Sequence, residues 1–489
     1  MDIKQGSFAK KEVYIFTILS FVLIFVFSLA YAFIHNITIY YYDAGYYWET
    51  ADPVFKNGFN LLNFPETLRG YFLPVLISFF KYKFHTVFAW RLLSSLFAAS
   101  CFSISLPYFL LGRLIKSVKE LLRTLLSYFF FMYIWGNFMQ YPLSDFAAAF
   151  FMFSGVSILK NQRGKNGYAK IILLILGGMF LYAAYNTRVA YLYGILVSIV
   201  ILICINFQNI KNMLFKLFCV LIGMSVIALP QCLINKQYVG SFSPKVYTEQ
   251  AYGYSRSLQL QQVFWGLSYS RFEGYLPNTN NTASHYYPEM EVIFNDSVGN
   301  EIINRENLEE ETFSLSDFFL TFLKYPFDML SLYMRHLVSL LTPAYRKVYN
   351  DDLYVEKGFY ASVSIIIWLI AGISLLTLKN RHENNNEKWY YLALILPCLL
   401  QLFGAPEIRF FLPVYLLGYY YVFAVVDYKE LIASLKGKWL QVSICSLIVF
   451  MLWMTVYGDV LAANKHDVFM IDNGEWYASI RSVIKNILY

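Results

Sequence analysis

Charged side chains are sparse in this chain, so the few beside long apolar runs carry the first information. Asp43 sits in YYDAGYYWE among Tyr41, Tyr42, Tyr46, Tyr47 and Trp48, with Glu49 and Asp52 after it. Arg91 falls inside FAWRLLSSLFAAS, Asp145 follows YPLS, Arg188 lies in YNTRVAYLYG, and Glu407 and Arg409 stand in GAPEIRFFLPVY. An ionisable group at the end of an apolar span, or within it, is costly and therefore marks a functional candidate. Carboxylates and guanidiniums are the groups of proton transfer and of anion binding. With the topology set out below, these regions all reach the same outer depth, although they are scattered along the chain. Such a convergence has the composition of a site.

Each residue also has a plainer reading. Asp145 suits a helix N-cap, where the helix dipole favours a carboxylate. Arg188 suits a boundary anchor that snorkels to the headgroups, and Arg91 suits a partner in a packing ion pair. Asp43 is harder to dismiss, because a lone carboxylate among aromatic rings gains little structurally. His285 and Glu289 have the i,i+4 spacing of a metal pair, but Pro288 breaks the helix that would align them. No metal site is assigned.

These residues must be positioned by membrane helices. The 489 residues are 58% hydrophobic, 20% aromatic and only 15% charged, whereas a soluble domain is about a quarter charged. A net charge of +7 without a basic run of interleaved aromatics argues against nucleic acid as a partner. The six cysteines lie in or beside apolar segments with no C-x-x-C, and are expected to be buried as small hydrophobes. A span needs about 20 mostly apolar residues. The segments that qualify are 13–34, 86–111, 121–140, 142–159, 170–186, 189–206, 213–233, 359–378, 389–404, 409–427 and 438–457. This predicts an all-α polytopic protein with about 11 transmembrane helices (range roughly 10–13).

Loop charges orient it. Lys4, Lys10 and Lys11 place the N-terminus inside, and the loops 112–120, 160–169, 207–212, 379–388 and 428–437, with their flanks, all carry Lys or Arg on that same side. Two apolar stretches are expected to lie at the outer interface instead of spanning. One is 318–342, which carries Lys324, Asp328, Arg335 and His336; the other is 70–80, short and interrupted by Pro74. The chain then reads as an N-terminal transmembrane module (1–234, with an outer loop at 35–85), an extracytoplasmic loop region (235–358) and a C-terminal module with an outer tail (359–489). The expected location is the inner or plasma membrane, with the charged cluster facing outward.

In order and sidedness these pieces resemble the GT-C glycosyltransferases, in particular polyprenyl-phosphate-sugar enzymes related to protein O-mannosyltransferases and lipid A aminoarabinose transferases. The acidic-aromatic YYDAGYYWE follows the first span; then come RGYFLPVLISFF, FAWRLLSSLFAAS, YPLSDFAAAFFMF, YNTRVAYLYG and, late, EIRFFLPVY, similar to the family's E-x-R-Y/F-x-x-P element. The family's paired acidic residues are here Asp43 followed by Ala44, and its Pro-Pro is here a single Pro74.

The resemblance implies a GT-C-like fold and a sugar donor linked to polyprenyl phosphate. It implies transfer to an acceptor hydroxyl on a glycan, lipid or protein, in cell-envelope modification and with inversion. Under it Asp43 is the general base. Arg188 and Arg409, with Arg69 and Arg91, meet the departing phosphate. Glu407 orients Arg409, Asp145 orients Arg188 or binds a sugar hydroxyl, and Tyr46 and its neighbours wall the cavity. No cofactor is assigned and a divalent metal is left open. Two other classes stay open: a lipid-linked glycan polymerase or ligase leaning on Arg256 and Arg271, and a transporter or flippase, which the lack of an internal repeat disfavours.

Overall fold

A computed structural model describes residues 2–40, 42–56, 58–64, 69–84, 86–161, 167–247, 258–276, 290–343, 359–378 and 388–462. Tyr41, Arg256, His285, Pro288, Glu289, much of the loops 160–169 and 379–388, and nearly all of the outer tail lie outside the described residues.

The chain packs as two units. One combines Met1–Ala251 with Asn380–Pro397 and Leu412–Val426; the other combines Tyr252–Lys379 with Cys398–Phe411 and Asp427–Tyr489. The helices of the N-terminal half are α1 (Asp2–His35), α2 (Tyr42–Thr50), α3 (Phe72–Phe84), α4 (Phe88–Ser100), α5 (Leu106–Leu111), α6 (Val118–Gln140) and α7 (Ser144–Lys160), then α8 (Gly167–Thr187), α9 (Leu192–Asn206) and α10 (Ile210–Tyr238). A π-helical turn at Cys101–Ser105 joins α4 to α5 as one rod. After these come α11 (Leu258–Ser268), strands β1 (Tyr269–Leu276) and β2 (Met290–Asn295), α12 (Ser297–Glu306), α13 (Leu315–Lys324), α14 (Pro326–Leu341) and α15 (Phe359–Thr377). The chain then runs through α16 (Tyr390–Leu400), α17 (Leu412–Tyr420), α18 (Tyr428–Ser434) and α19 (Trp439–Ala462).

The protein is a helical polytopic membrane protein. Among the described residues eight helices are long and apolar enough to cross a bilayer: 12–35, 88–111, 167–187, 189–206, 210–238, 359–377, 408–425 and 439–458. The other three expected spans are helical too. Of these, α6 opens with Lys119, Glu120 and Arg123, while α7 has only 17 residues and buries all of them but Ile158 inside its unit. A helix buried on every side belongs inside other helices, and α7 is that helix here. The third, α16 with its following turn, is a shorter apolar element over Tyr390–Phe403.

Hydroxyls and glycines tie the first unit together. Ser20 and Ser103 hydrogen-bond at 2.9 Å, Ser28 and Tyr128 at 2.6 Å, Ser105 and Ser154 at 2.8 Å, and Thr124 and Tyr420 at 3.0 Å. Helices in lipid gain little from hydrophobic association, so small residues and interhelical bonds hold them. The α8–α10 contact shows the first: a Cβ on Gly178 would stand 2.1 Å from Val220 O, and one on Gly223 1.9 Å from Ile175 O.

Two expectations change in the second unit. The segment 318–342 is two helices, α13 and α14, separated at Tyr325, where Pro326 opens the second. Ser314 and Asp317 form a capping box that starts the first. The all-α reading also gains an exception, because β1 and β2 pair antiparallel with bulges. No cysteine forms a disulfide among the described residues, and Cys204 and Cys445 are exposed on α9 and α19, not buried as expected.

Candidate functional site

In the first unit the sequence candidates form two carboxylate–guanidinium pairs. Asp43 lies in the first turn of α2 and accepts a hydrogen bond from Arg69. The same guanidinium donates to Tyr47 Oη at 3.3 Å and lies 5.3 Å from the centroid of the Tyr46 ring and 4.9 Å from that of Tyr47. Aromatic faces hold a cation without consuming its donors. Asp145 lies in the first turn of α7 and pairs with Arg188, which follows the end of α8. The cap position of α7 is Leu143, so the Asp145 side chain serves Arg188 and is not the cap.

One contact brings the pairs to a common junction. Gly70, next to Arg69, is packed so closely on Asn186, two residues before Arg188, that a Cβ would fall 1.9 Å from the Asn186 carbonyl oxygen. Asn186 Oδ1 also accepts from Phe72 N at 2.8 Å. The α2 side reaches the α7 side a second way: the Tyr40 ring packs on Trp48 at 5.1 Å and on Tyr141 at 6.2 Å, just before α7.

Neutral amides brace the junction. Asn186 Nδ2 donates to Gln231 Oε1 at 2.8 Å, Gln231 Nε2 to Asn235 Oδ1 at 2.9 Å, and Asn235 Nδ2 to the carbonyls of Ser243 and Lys245 at 2.6 and 2.7 Å. All three amides are buried. Such satisfied networks rigidify what they touch. Sequence reading missed them, since uncharged amides near a helix end raise no signal in a scan for charge. Thr187, between Asn186 and Arg188, buries a hydroxyl that bonds no described group.

The pairs stay reachable from outside. Side-chain exposure is 25% for Asp43, 23% for Arg69 and 20% for Arg188, against 6% for Asp145. Lys81, also missed, flanks α2: it pairs with Asp52, donates to Trp48 O at 2.9 Å and sits 4.0 Å over the Trp48 ring. Burial lowers the Lys81 pKa, with Asp52 acting in the opposite direction.

Comparison with protein-family models, with curated proteins and with solved structures returned no match.

Arg91 does something else. It is buried, donates to Asn36 Oδ1 at 2.8 Å and Ile37 O at 3.3 Å, and so closes the end of α1. Glu407 and Arg409 belong to the second unit. There they pair with each other beside the bond from Phe272 N to Pro406 O (3.2 Å). That unit also buries an ion pair the sequence reading did not assemble. Arg335 Nε and Nη2 donate to Asp296 Oδ2 and Oδ1 at 2.5 and 2.6 Å, with side-chain exposures of 1% and 0%. Asp296 is the N-cap of α12, accepting from Gly299 N at 3.0 Å. Among the described residues no three His, Cys, Asp or Glu side chains cluster as a metal site.

Proposed function

We propose that this chain is a membrane glycosyltransferase of the GT-C type, with eleven spans. It moves a sugar from a polyprenyl-phosphate donor to an acceptor hydroxyl on the extracytoplasmic face. The observation that carries the reading is the junction of Gly70 with Asn186, which gathers Asp43–Arg69 and Asp145–Arg188 in the first unit. A lipid phosphate offers an anion to guanidiniums, and a sugar hydroxyl offers a proton to a carboxylate.

The chemistry follows. Asp43 takes the acceptor O–H proton while the acceptor oxygen forms a bond to the anomeric carbon. The bond from that carbon to the phosphate oxygen breaks, its electron pair leaves on the phosphate, and the anomeric centre inverts. Polyprenyl phosphate is the second product. Negative charge grows on the phosphate as the bond breaks, so guanidiniums placed there stabilise the transition state more than the ground state. The pairing also gives a switch. A bound phosphate competes with Asp43 for Arg69, and losing that cation makes the carboxylate a stronger base. Asp145 holds Arg188 in place, and the half-exposed Tyr46 ring lines the entrance to the pair. No step is routed through a metal. Arg409, expected to meet the phosphate, and Glu407, expected to orient Arg409, are each tested by their own substitution.

The polymerase or ligase reading leaned on Arg256 and Arg271. Arg256 is outside the described residues. Arg271 is buried and donates to the carbonyls of Ser339 and Thr342 at 3.4 and 3.1 Å, which is a structural use. The test is transfer of label from polyprenyl-phosphate sugars in membranes carrying wild type or Asp43→Asn. Transfer by wild type alone supports the assignment; equal transfer removes Asp43 from it.

A further inference from the structure

α13 and α14 are seated on the second unit by one face only. Phe318, Met329, Leu332 and Tyr333 are buried against Leu267 and Val298. The other face is bare. Phe319, Leu320 and Leu323 on α13, and Phe327, Leu330 and Met334 on α14, are each more than half exposed. A soluble monomer seldom leaves an apolar patch beyond a few hundred Å² uncovered. Lys324, on the margin of this face, is held aside by Glu306 at 2.6 Å.

The far end of α14 shows what covers the bare face. Val338 packs with Ala361 near the start of α15 and with Tyr457 near the end of α19. A turn later, Leu341 O accepts from Trp368 Nε1 at 2.9 Å and Thr342 Oγ1 from Trp453 Nε1 at 2.7 Å. Trp368 is midway along α15, about 10 Å past Ala361 at 1.5 Å per residue. Trp453 likewise lies deeper in α19 than Tyr457. Both α15 and α19 have the length and apolarity to cross the bilayer, so α14 descends between them toward their middle and ends there.

A helix that stops at such a depth leaves its last carbonyls without water. Here protein donors meet them: Arg271 bonds Ser339 O and Thr342 O, and Trp368 bonds Leu341 O. Neither α13, at 10 residues, nor α14, at 16, is long enough to span.

We infer that α13 and α14 form a wedge inserted into one leaflet, its bare face covered by lipid acyl chains, with α14 ending inside that leaflet on a cap of Arg271, Trp368 and Trp453. Lipid is the occupant because the stripe runs directly onto the membrane-crossing helices α15 and α19. The inference rests on the membrane character of the chain and not on the proposed reaction.

The test uses the full chain in phosphatidylcholine nanodiscs, with spin labels placed singly at Leu323→Cys, Leu330→Cys and Met334→Cys in a variant lacking the native cysteines. Collisions with oxygen are expected to exceed those with a water-soluble nickel chelate severalfold at all three sites, and depth is expected to increase from 323 to 334 without passing the midplane. Dominant nickel collisions would place the face in water, and a depth that passes the midplane would make the segment a span; either overturns the wedge. A photo-crosslinking benzoylphenylalanine at Leu330 in the unaltered background checks this without removing cysteines. Lipid adducts support the wedge, and adducts to a second copy of the chain overturn it.

Discussion

Replacing Gly70 by alanine puts a methyl group 1.9 Å from the Asn186 carbonyl oxygen and 2.4 Å from its Oδ1, where ordinary contact begins at 3.4 Å. The two backbones must therefore part by about 1.5 Å, an overpacking change that costs about 1–3 kcal/mol. Neither backbone can yield alone, because Asn186 is held by Gln231 and by Phe72 N. Arg69 precedes Gly70 and Arg188 lies just beyond Asn186, so the displacement falls between the two ion pairs. A misplacement of about 1 Å in a reacting constellation costs as much as 100-fold in rate. The expected result for Gly70→Ala is a loss of sugar transfer of about 100-fold with only a modest fall in Tm in detergent. Gly372→Ala, at a position with nothing within 4 Å of the added carbon, is the control and should match wild type in both. Wild-type transfer and Tm in Gly70→Ala would refute the tight junction and with it the argument that the two pairs act together.

Arg335→Met leaves Asp296 buried without its bidentate partner and should cost about 3–5 kcal/mol; the double variant with Asp296→Asn should cost less than the sum of the singles. Strict additivity in thermal unfolding would show that the two side chains do not depend on each other. Gly178→Leu forces α8 from α10 and should lower Tm well beyond the Gly372→Ala control; an unchanged Tm would deny the close approach at Val220 O.

Hydropathy carried most of the fold. Each of the eleven apolar segments is helical, because in lipid a backbone must satisfy its own hydrogen bonds. What it missed depends on contacts distant in sequence. The β1–β2 ribbon sits in a polar region where the scan for spans had no reach. Arg335 and His336 stood out as charge in an apolar run, but what meets them when buried lies far off in sequence: Asp296, an unremarkable carboxylate some forty positions earlier, for Arg335, and the carbonyls of Tyr269 and Leu402 for His336. Among the site candidates, the pairing of Asp145 with Arg188 was legible as two costly charges at neighbouring span ends. The pairing of Asp43 with Arg69 was less so, since Arg69 lies in a loop where an arginine costs nothing. Arg91 is a different case. Its cost inside a span is met by Asn36 and Ile37 O, groups that no scan for opposite charge would find.

The most direct test of the proposed reaction uses purified protein reconstituted in liposomes with a doubly labelled polyprenyl-phosphate sugar. Both products are followed: sugar on the acceptor and free polyprenyl phosphate. The account predicts that wild type forms them in equal amounts, and that Asp43→Asn and Arg188→Ala form neither while remaining folded. Equal product formation by the two variants and wild type would contradict it.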